Sequence, residues 1–328
     1  MSDDASRARF PELSAGYESF YLRACRPEGG LGIWIRYTVH RGSGHEPTGS
    51  LWFTLFDADA PGPIAAKITV SGPSAGGGDW IRIADARFAE GVASGALAVG
   101  GGADVAWDLR FTGAEVLRHL PRPWMYKAPV PKTKPISLHP VARFDGTVTV
   151  DGREIALESW PGMVGHNWGT QHAERWIWLH GMAFDGADDG TWLDVVLGRI
   201  KVAGLTTPWT ASGAVSLDGE RFELGGPQRI RSTRVDERPD RLDFTLPGSG
   251  VEVTGTVQAP RERFVGWVYA DPDGSEHHTV NCSIADLTMT ATRPRHPAVT
   301  LRSPGRAAYE LGMREHDHGM KIQPFSDG

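Results

Sequence analysis

The sequence predicts an all-β protein made of two tandem antiparallel β-barrels, with a short C-terminal helix. Three observations carry that expectation. Apolar residues recur at every second position in short runs. Turn residues punctuate those runs about every eight to twelve positions. With Gly 41 and Pro 23, the composition suits a turn-rich β chain. A length of 328 residues fits two domains of roughly 150 residues each.

Along the chain, Gly32-Ile33-Trp34-Ile35-Arg36-Tyr37-Thr38-Val39 and Leu51-Trp52-Phe53-Thr54-Leu55-Phe56 read as the arms of a first hairpin, each arm carrying a Trp. Gly72-Pro73-Ser74-Ala75-Gly76 matches a nucleophile-elbow string, but Gly77 and Gly78 follow it and no helix can start there. Gly100-Gly101-Gly102 lacks the spacing of a dinucleotide loop. Between Leu120 and Pro140 six prolines forbid regular structure. The chain therefore divides into an N-terminal barrel at 1–118, a Pro-rich connector at 119–138 and a C-terminal barrel at 139–328 that carries the candidate site. Trp124, Met125 and Tyr126 imply that the connector packs on a domain. The second hairpin, Trp176-Ile177-Trp178-Leu179 with Trp192-Leu193-Asp194-Val195-Val196, repeats the layout of the first. Val251 to Val257 is another alternating strand. Pro304 to His316 reads as the helix, with Pro304 in its first turn and Ala307, Ala308, Leu311 and Met313 as a partial stripe.

The chemistry concentrates in Pro161 to Phe184. A glycine-bounded loop holding His166, Asn167 and Trp168 runs into a strand whose alternate side chains are Trp176, Trp178, His180, Met182 and Phe184. Successive side chains of a strand point to opposite sides, so these five share a face that needs an apolar enclosure or a ligand. If Phe184 and Trp192 pair across the turn, Asp194 lies opposite Met182 and diagonal to His180, on the same face; a slip of two residues keeps it there. A carboxyl among aromatics is costly as a bare anion, and desolvation raises its pKa, so Asp194 is the expected proton donor. Ring faces stabilise a developing cation and keep water from it. His166 and His180 are candidates to orient Asp194 or to move its proton. Each signal also has a plainer reading: Asp194 as a hydrogen-bonded structural carboxylate, the His166–Gly169 loop as a rigid turn, Trp176 and Trp178 as core.

Composition excludes several classes. A net charge of -6 gives no field for phosphate binding, so no nucleic-acid partner is expected. No apolar run is long enough to span a bilayer and Met1 to Arg7 lacks a signal-peptide pattern, which predicts a cytoplasmic protein without stable membrane insertion. Cys25 and Cys282 form no metal spacing and read as buried thiols. His166, His172, His180 and Glu174 contain no tight ligand pair, so no metal and no cofactor are expected. His277-His278 and His316-Asp317-His318 read as solvated. Asn281-Cys282-Ser283 is a glycosylation string without meaning in the cytoplasm.

His166-Asn167-Trp168-Gly169, the Trp176-Ile177-Trp178-Leu179-His180 strand, and Tyr17 to Arg23 through Trp34-Ile35-Arg36-Tyr37 resemble the lipocalin-like superfamily of carotenoid 1,2-hydratases, tocopherol cyclases and AttH-type proteins. The resemblance runs over nearly the whole chain and implies two lipocalin-like barrels with a site between or within them. It also implies that His166, Trp168 and Asp194 match the His-x-Trp pair and the acid associated with protonation of an isoprenoid double bond. Trp192 departs from the pattern, standing where the carotenoid hydratases carry Tyr. The expected activity is a cofactor-independent hydro-lyase acting on an isoprenoid alkene or tertiary alcohol through a carbocation. Asp194 would be the acid, and Trp168, Trp176, Trp178, Met182, Phe184 and Trp192 the substrate wall. An isoprenoid cyclase or isomerase, and a non-catalytic carrier of an apolar small molecule, are the alternatives. The sequence sets no oligomeric state.

Overall fold

A computed structural model of the chain describes residues 4–98, 103–202, 204–315 and 318–325. Twelve strands form the first sheet: β1 (Gly16–Cys25), β2 (Leu31–Arg41), β3 (Thr48–Asp57), β4 (Ile64–Ser71), β5 (Ser74–Gly76), β6 (Asp79–Ile83), β7 (Ala86–Ala89), β8 (Val92–Leu97), β9 (Val105–Gly113), β10 (Leu117–Arg118), β11 (Thr133–Val150) and β12 (Arg153–Gly169). The second half of the chain continues with β13 (Arg175–Met182), β14 (Trp192–Arg199), the small pair β15 (Lys201–Val202) and β16 (Leu205–Thr206), β17 (Thr210–Leu217) and β18 (Glu220–Gly225). It ends with β19 (Arg234–Arg238), β20 (Arg241–Pro247), β21 (Glu252–Gln258), β22 (Val265–Ala270), β23 (Glu276–Thr292) and β24 (Val299–Met313).

The first sheet runs β4-β3-β2-β1-β12-β11-β9-β8-β7-β6-β5, with β10 on β11. The second runs β18-β17-β14-β13-β24-β23-β21-β20-β19, with β22 on β23. Both are antiparallel and curved, and neither closes into the barrel that the sequence predicts: among the described residues no ladder joins β4 to β5 or β18 to β19. These are half-barrels. Alternation marks strands, whereas closure depends on the tilt and stagger of every strand together, which no local pattern encodes.

The C-terminal helix is also corrected. Residues 299 to 313 form β24, and the longest helical element among the described residues is the four-residue turn Pro123–Tyr126. Ala307, Tyr309, Leu311 and Met313 are all buried in the second core at strict period two, while Ala308 faces another apolar cluster with Trp178. The apparent stripe of a helix was a strand buried on both faces. His316 and Asp317, at the end of that predicted element, lie outside the described residues. None of the described helices is long and apolar enough to cross a membrane.

The change of sheet falls after Gly169, since β11 and β12 pair within the first sheet, downstream of the 119–138 connector. The connector docks on that sheet through Tyr126, whose ring lies 5.8 Å from Trp168 and whose hydroxyl donates to the Pro135 carbonyl; Trp124 stays exposed. Strand β1 is buried almost throughout. Phe20, Leu22 and Ala24 fill the first core, while Tyr21 packs on Trp178 of the second sheet and Arg23 bonds to its His180. The two sheets thus meet across one face of β1 and β12, and the site lies at that contact. Cys25 and Cys282 are buried free thiols.

Candidate active site between the sheets

Strands β14, β13 and β24 lie side by side, and their register sets the site. Met182 pairs with Trp192 and His180 with Asp194, two residues away from the Phe184–Trp192 pairing expected from sequence. A shift of two keeps the face, so Asp194 stays on the side of Trp178 and His180. On the other flank of β13, Trp178 pairs with Glu310 and His180 with Ala308. Two carboxyl groups therefore stand on either side of the Trp178 strand, facing the first sheet.

Asp194 is fully buried. Its Oδ1 accepts the Trp178 indole N–H at 3.2 Å, and its Oδ2 accepts the Ser137 hydroxyl at 2.5 Å. Behind Ser137 stands His119, with Nε2 at 3.1 Å from the Ser137 oxygen and 3.8 Å from Asp194 Oδ2. Ser137 reaches Asp194 where β11 departs from regular pairing, with register shifts between Ser137 and His139 and between His139 and Ala142. Such irregularities re-aim side chains, and this one also turns the Pro140 carbonyl toward the second sheet.

That carbonyl accepts Nε2–H of His180 at 2.7 Å, and Nδ1 of His180 accepts from Arg23 Nη1 at 2.8 Å. Burial pushes the imidazole down to about 4, aided by the Arg23 charge and opposed by Asp194, so His180 is neutral at physiological pH. Arg23 is itself wholly buried, and its other amino group donates to the Ser283 and Arg306 carbonyls. Burial lowers its pKa, and the nearby Asp194 carboxyl opposes that shift only in part.

Glu310 is held by three donors: Trp176 Nε1 at 3.0 Å, Asn281 Nδ2 at 3.0 Å and the Tyr269 hydroxyl at 3.4 Å. Gly312 permits this, because a Cβ there would lie 2.1 Å from the Trp176 ring. Tyr21 stands over the same face from β1, its ring edge-on to Trp178 at 5.7 Å. Burial drives its phenol far above the ordinary value, and the charges of Asp194 and Glu310 push the same way. The phenol thus senses both carboxyl groups. Gly165 makes room for it, since a Cβ there would meet the Tyr21 ring at 2.2 Å. Tyr21, Asn167 and Val196 are partly exposed and mark the accessible side.

The predicted residues are distributed as follows. Asp194, His180, Trp178, Met182 and Trp192 share the intersheet face, with Trp176 at its edge. Phe184 does not share it: Ala183 adopts φ 50, the chain turns, and Phe184 packs in the second core with Ile177 and Leu179. His166 and Trp168 lie on the opposite side of β12, in the first half-barrel. His166 stacks on Phe20 at 4.0 Å, and its ring nitrogens pair with Glu18 Oε1 and the Ala5 carbonyl, each at 2.7 Å. Glu18 also accepts the backbone N–H groups of Arg9 and Phe10, so the pair ties the N-terminal segment to the sheet. His277, expected in solvent, is fully buried. Sequence reasoning missed Tyr21, Arg23, His119, Ser137 and Glu310. For Glu310 a signal existed: at period two it shares a face with Ala308 and Gly312.

No family model matches the chain. Two uncharacterized proteins of Mycobacterium tuberculosis, from strains CDC 1551 / Oshkosh and H37Rv, are each 27% identical over 326 residues, covering 95% of this chain and 92% of theirs. Among solved structures, a protein assigned as AttH from Nitrosomonas europaea superposes with a TM-score of 0.56 at 14% identity, covering 94% of both chains. Kievitone hydratase from Nectria haematococca superposes with a TM-score of 0.57 at 9% identity, covering 95% of this chain and 92% of that one. The chain has the lipocalin-like fold of curved antiparallel sheets that these two structures share.

Proposed function

We propose that the intersheet site is that of a hydro-lyase, adding water to or removing it from an apolar small molecule, with an isoprenoid alkene or tertiary alcohol as substrate class. The observation that carries this reading is the placement of Asp194 and Glu310 on strands flanking Trp178, under the Tyr21 ring. In its protonated form Asp194 delivers a proton to the terminal alkene carbon, and the π electrons become the new C–H bond. The tertiary cation left behind lies against the ring faces of Trp178 and Tyr21. Glu310, fixed by Trp176, Asn281 and Tyr269, takes a proton from water as its oxygen bonds to the cation. Dehydration is the reverse. The cycle needs an acid, a base and one water, and no cofactor.

In this scheme His180 acts as a positioning residue, because both its ring nitrogens are engaged and it stands directly opposite Asp194. The Ser137 hydroxyl stands between the acid and His119, whose other ring nitrogen contacts the Ser212 carbonyl. Kievitone hydratase, a hydratase by name, has the same fold, which agrees with this reading. The test is incubation with prenyl alcohols and terminal isoprenoid alkenes in heavy water. The expected product differs from substrate by one water and, on hydration, carries solvent deuterium at the protonated carbon. Ligand retained unchanged without deuterium would identify a carrier, and an isomer formed without gain or loss of water a cyclase.

A further inference from the structure

A second polar cluster lies where the first sheet hands over to the second. His172 sits between β12 and β13, while Asp271 and His277 flank the turn between β22 and β23. The fold brings these distant positions together. Asp271 is wholly buried; its Oδ1 accepts the His172 backbone N–H at 2.8 Å and lies 2.6 Å from His172 Nδ1. Its Oδ2 is 3.7 Å from His277 Nδ1. One ligand atom from each residue lies within 4.8 Å of the others. Tetrahedral zinc, with bonds of about 2.0–2.1 Å, separates its ligand atoms by roughly 3.3 Å, so small side-chain rotations would close the three around an ion.

His277 is the group that lacks an explanation. It is 0% exposed, and among the described residues neither ring nitrogen makes a hydrogen bond of normal geometry, the Ala173 carbonyl being a backbone acceptor close enough to act on it. Buried polar groups are ordinarily paired, and an unpaired buried imidazole beside a carboxylate and a second imidazole has the makings of a metal ligand. The walls are aromatic: Tyr17 stacks on His172 at 4.1 Å, and the Trp176 ring lies 5.2 Å from His172 and 5.3 Å from His277. His172 is partly exposed and offers a path from solvent.

We propose that His172, Asp271 and His277 bind a borderline divalent transition-metal ion, zinc foremost, with water in the remaining position. Two imidazoles and one carboxylate favour such an ion over magnesium or calcium, which prefer all-oxygen shells. The ion fastens the crossover between the sheets to the β22–β23 turn, and it lies outside the water-transfer chemistry. Through Trp176, which touches both histidines and donates to Glu310, it also steadies one wall of the intersheet site.

The test uses the full chain after treatment with chelator. Calorimetric titration with zinc chloride is expected to show one ion per chain at micromolar or tighter affinity, and cobalt chloride to give the intense visible absorption of a four-coordinate site. Zinc should raise Tm, whereas magnesium and calcium should not. His172→Gln, at a partly exposed position and with folding checked by Tm without metal, should weaken zinc affinity by roughly tenfold or more, and His277→Gln likewise. No zinc uptake by the wild type at about 100 times a micromolar Kd overturns the inference. So does His172→Gln binding zinc as tightly as the wild type, which would place the ion elsewhere.

Discussion

The indole N–H of Trp178 donates to Oδ1 of Asp194 at 3.2 Å across neighbouring strands, so one aromatic residue both walls the intersheet site and orients its carboxyl group. The bond leaves Oδ2 to Ser137 and ties the orientation of the carboxyl to the position of the ring. The carboxyl group and the indole ring therefore move together.

Asp194→Asn keeps size and most hydrogen bonding while removing the acid. Turnover of the true substrate is expected to fall by about 10²–10⁴, the usual worth of a general acid, with Tm close to wild type. Near-normal kcat in this variant would end the assignment.

Glu310→Gln keeps an acceptor oxygen for one of Trp176 and Asn281, which donate to different carboxylate oxygens, and offers no base. Hydration kcat should drop by roughly 10²-fold or more. Proton exchange into the alkene from heavy water, which needs only Asp194, should persist. Loss of both in equal measure would show that Glu310 acts before the cation forms.

Arg23→Met takes the guanidinium from a wholly buried position, leaves His180 Nδ1 without its donor and leaves the Ser283 and Arg306 carbonyls only the weak Cys25 thiol. At about 1–3 kcal/mol for each buried group left unpaired, the variant should lose about 3 kcal/mol or more in urea unfolding. A loss below about 1 kcal/mol would mean that water or a shift of the strands replaces the guanidinium.

His180 has its pKa lowered to about 4 by burial, against an ordinary 6.5. Between those values the unfolded chain holds a proton on this residue that the folded chain does not. Its contribution to stability is therefore complete above about pH 6.5 and is lost as pH falls toward 4, at about 1.4 kcal/mol per pH unit. Unfolding free energies measured from pH 8 to 4 should show this slope, and His180→Gln should remove about one proton's worth of it. An unchanged slope in the variant would assign the effect to other groups.

His166→Gln breaks the contact with Glu18 that holds the Arg9 and Phe10 backbone. Trypsin should then cleave near Arg7 and Arg9 faster, with turnover reduced much less than in Asp194→Asn. A fall in kcat matching that of Asp194→Asn would return His166 to the chemistry.

The face shared by Trp178, His180 and Asp194 was legible because side-chain alternation is local and a two-residue slip leaves it intact. Phe184 was lost to that face because a single residue, Ala183, takes a positive φ that no apolar pattern announces. Glu310 went unseen because Ala307 to Met313 is buried on both sides, and such a run supports helix and strand alike. His166 and Trp168 kept their common face, but which side of β12 looks toward the second sheet is set by how the sheets pack.

By itself the sequence determined the all-β class, most of the strands, the aromatic hairpin and the carboxyl group on its inner face, since each follows from period-two burial within a dozen residues. Only the tertiary structure decided that the sheets stay open, that β11 and β12 belong to the first of them, and that Tyr21, Ser137 and Glu310 meet Asp194 around Trp178. Those contacts join residues more than fifty positions apart, and their energy depends on strand tilt, register shifts and sheet packing, which are properties of the whole fold.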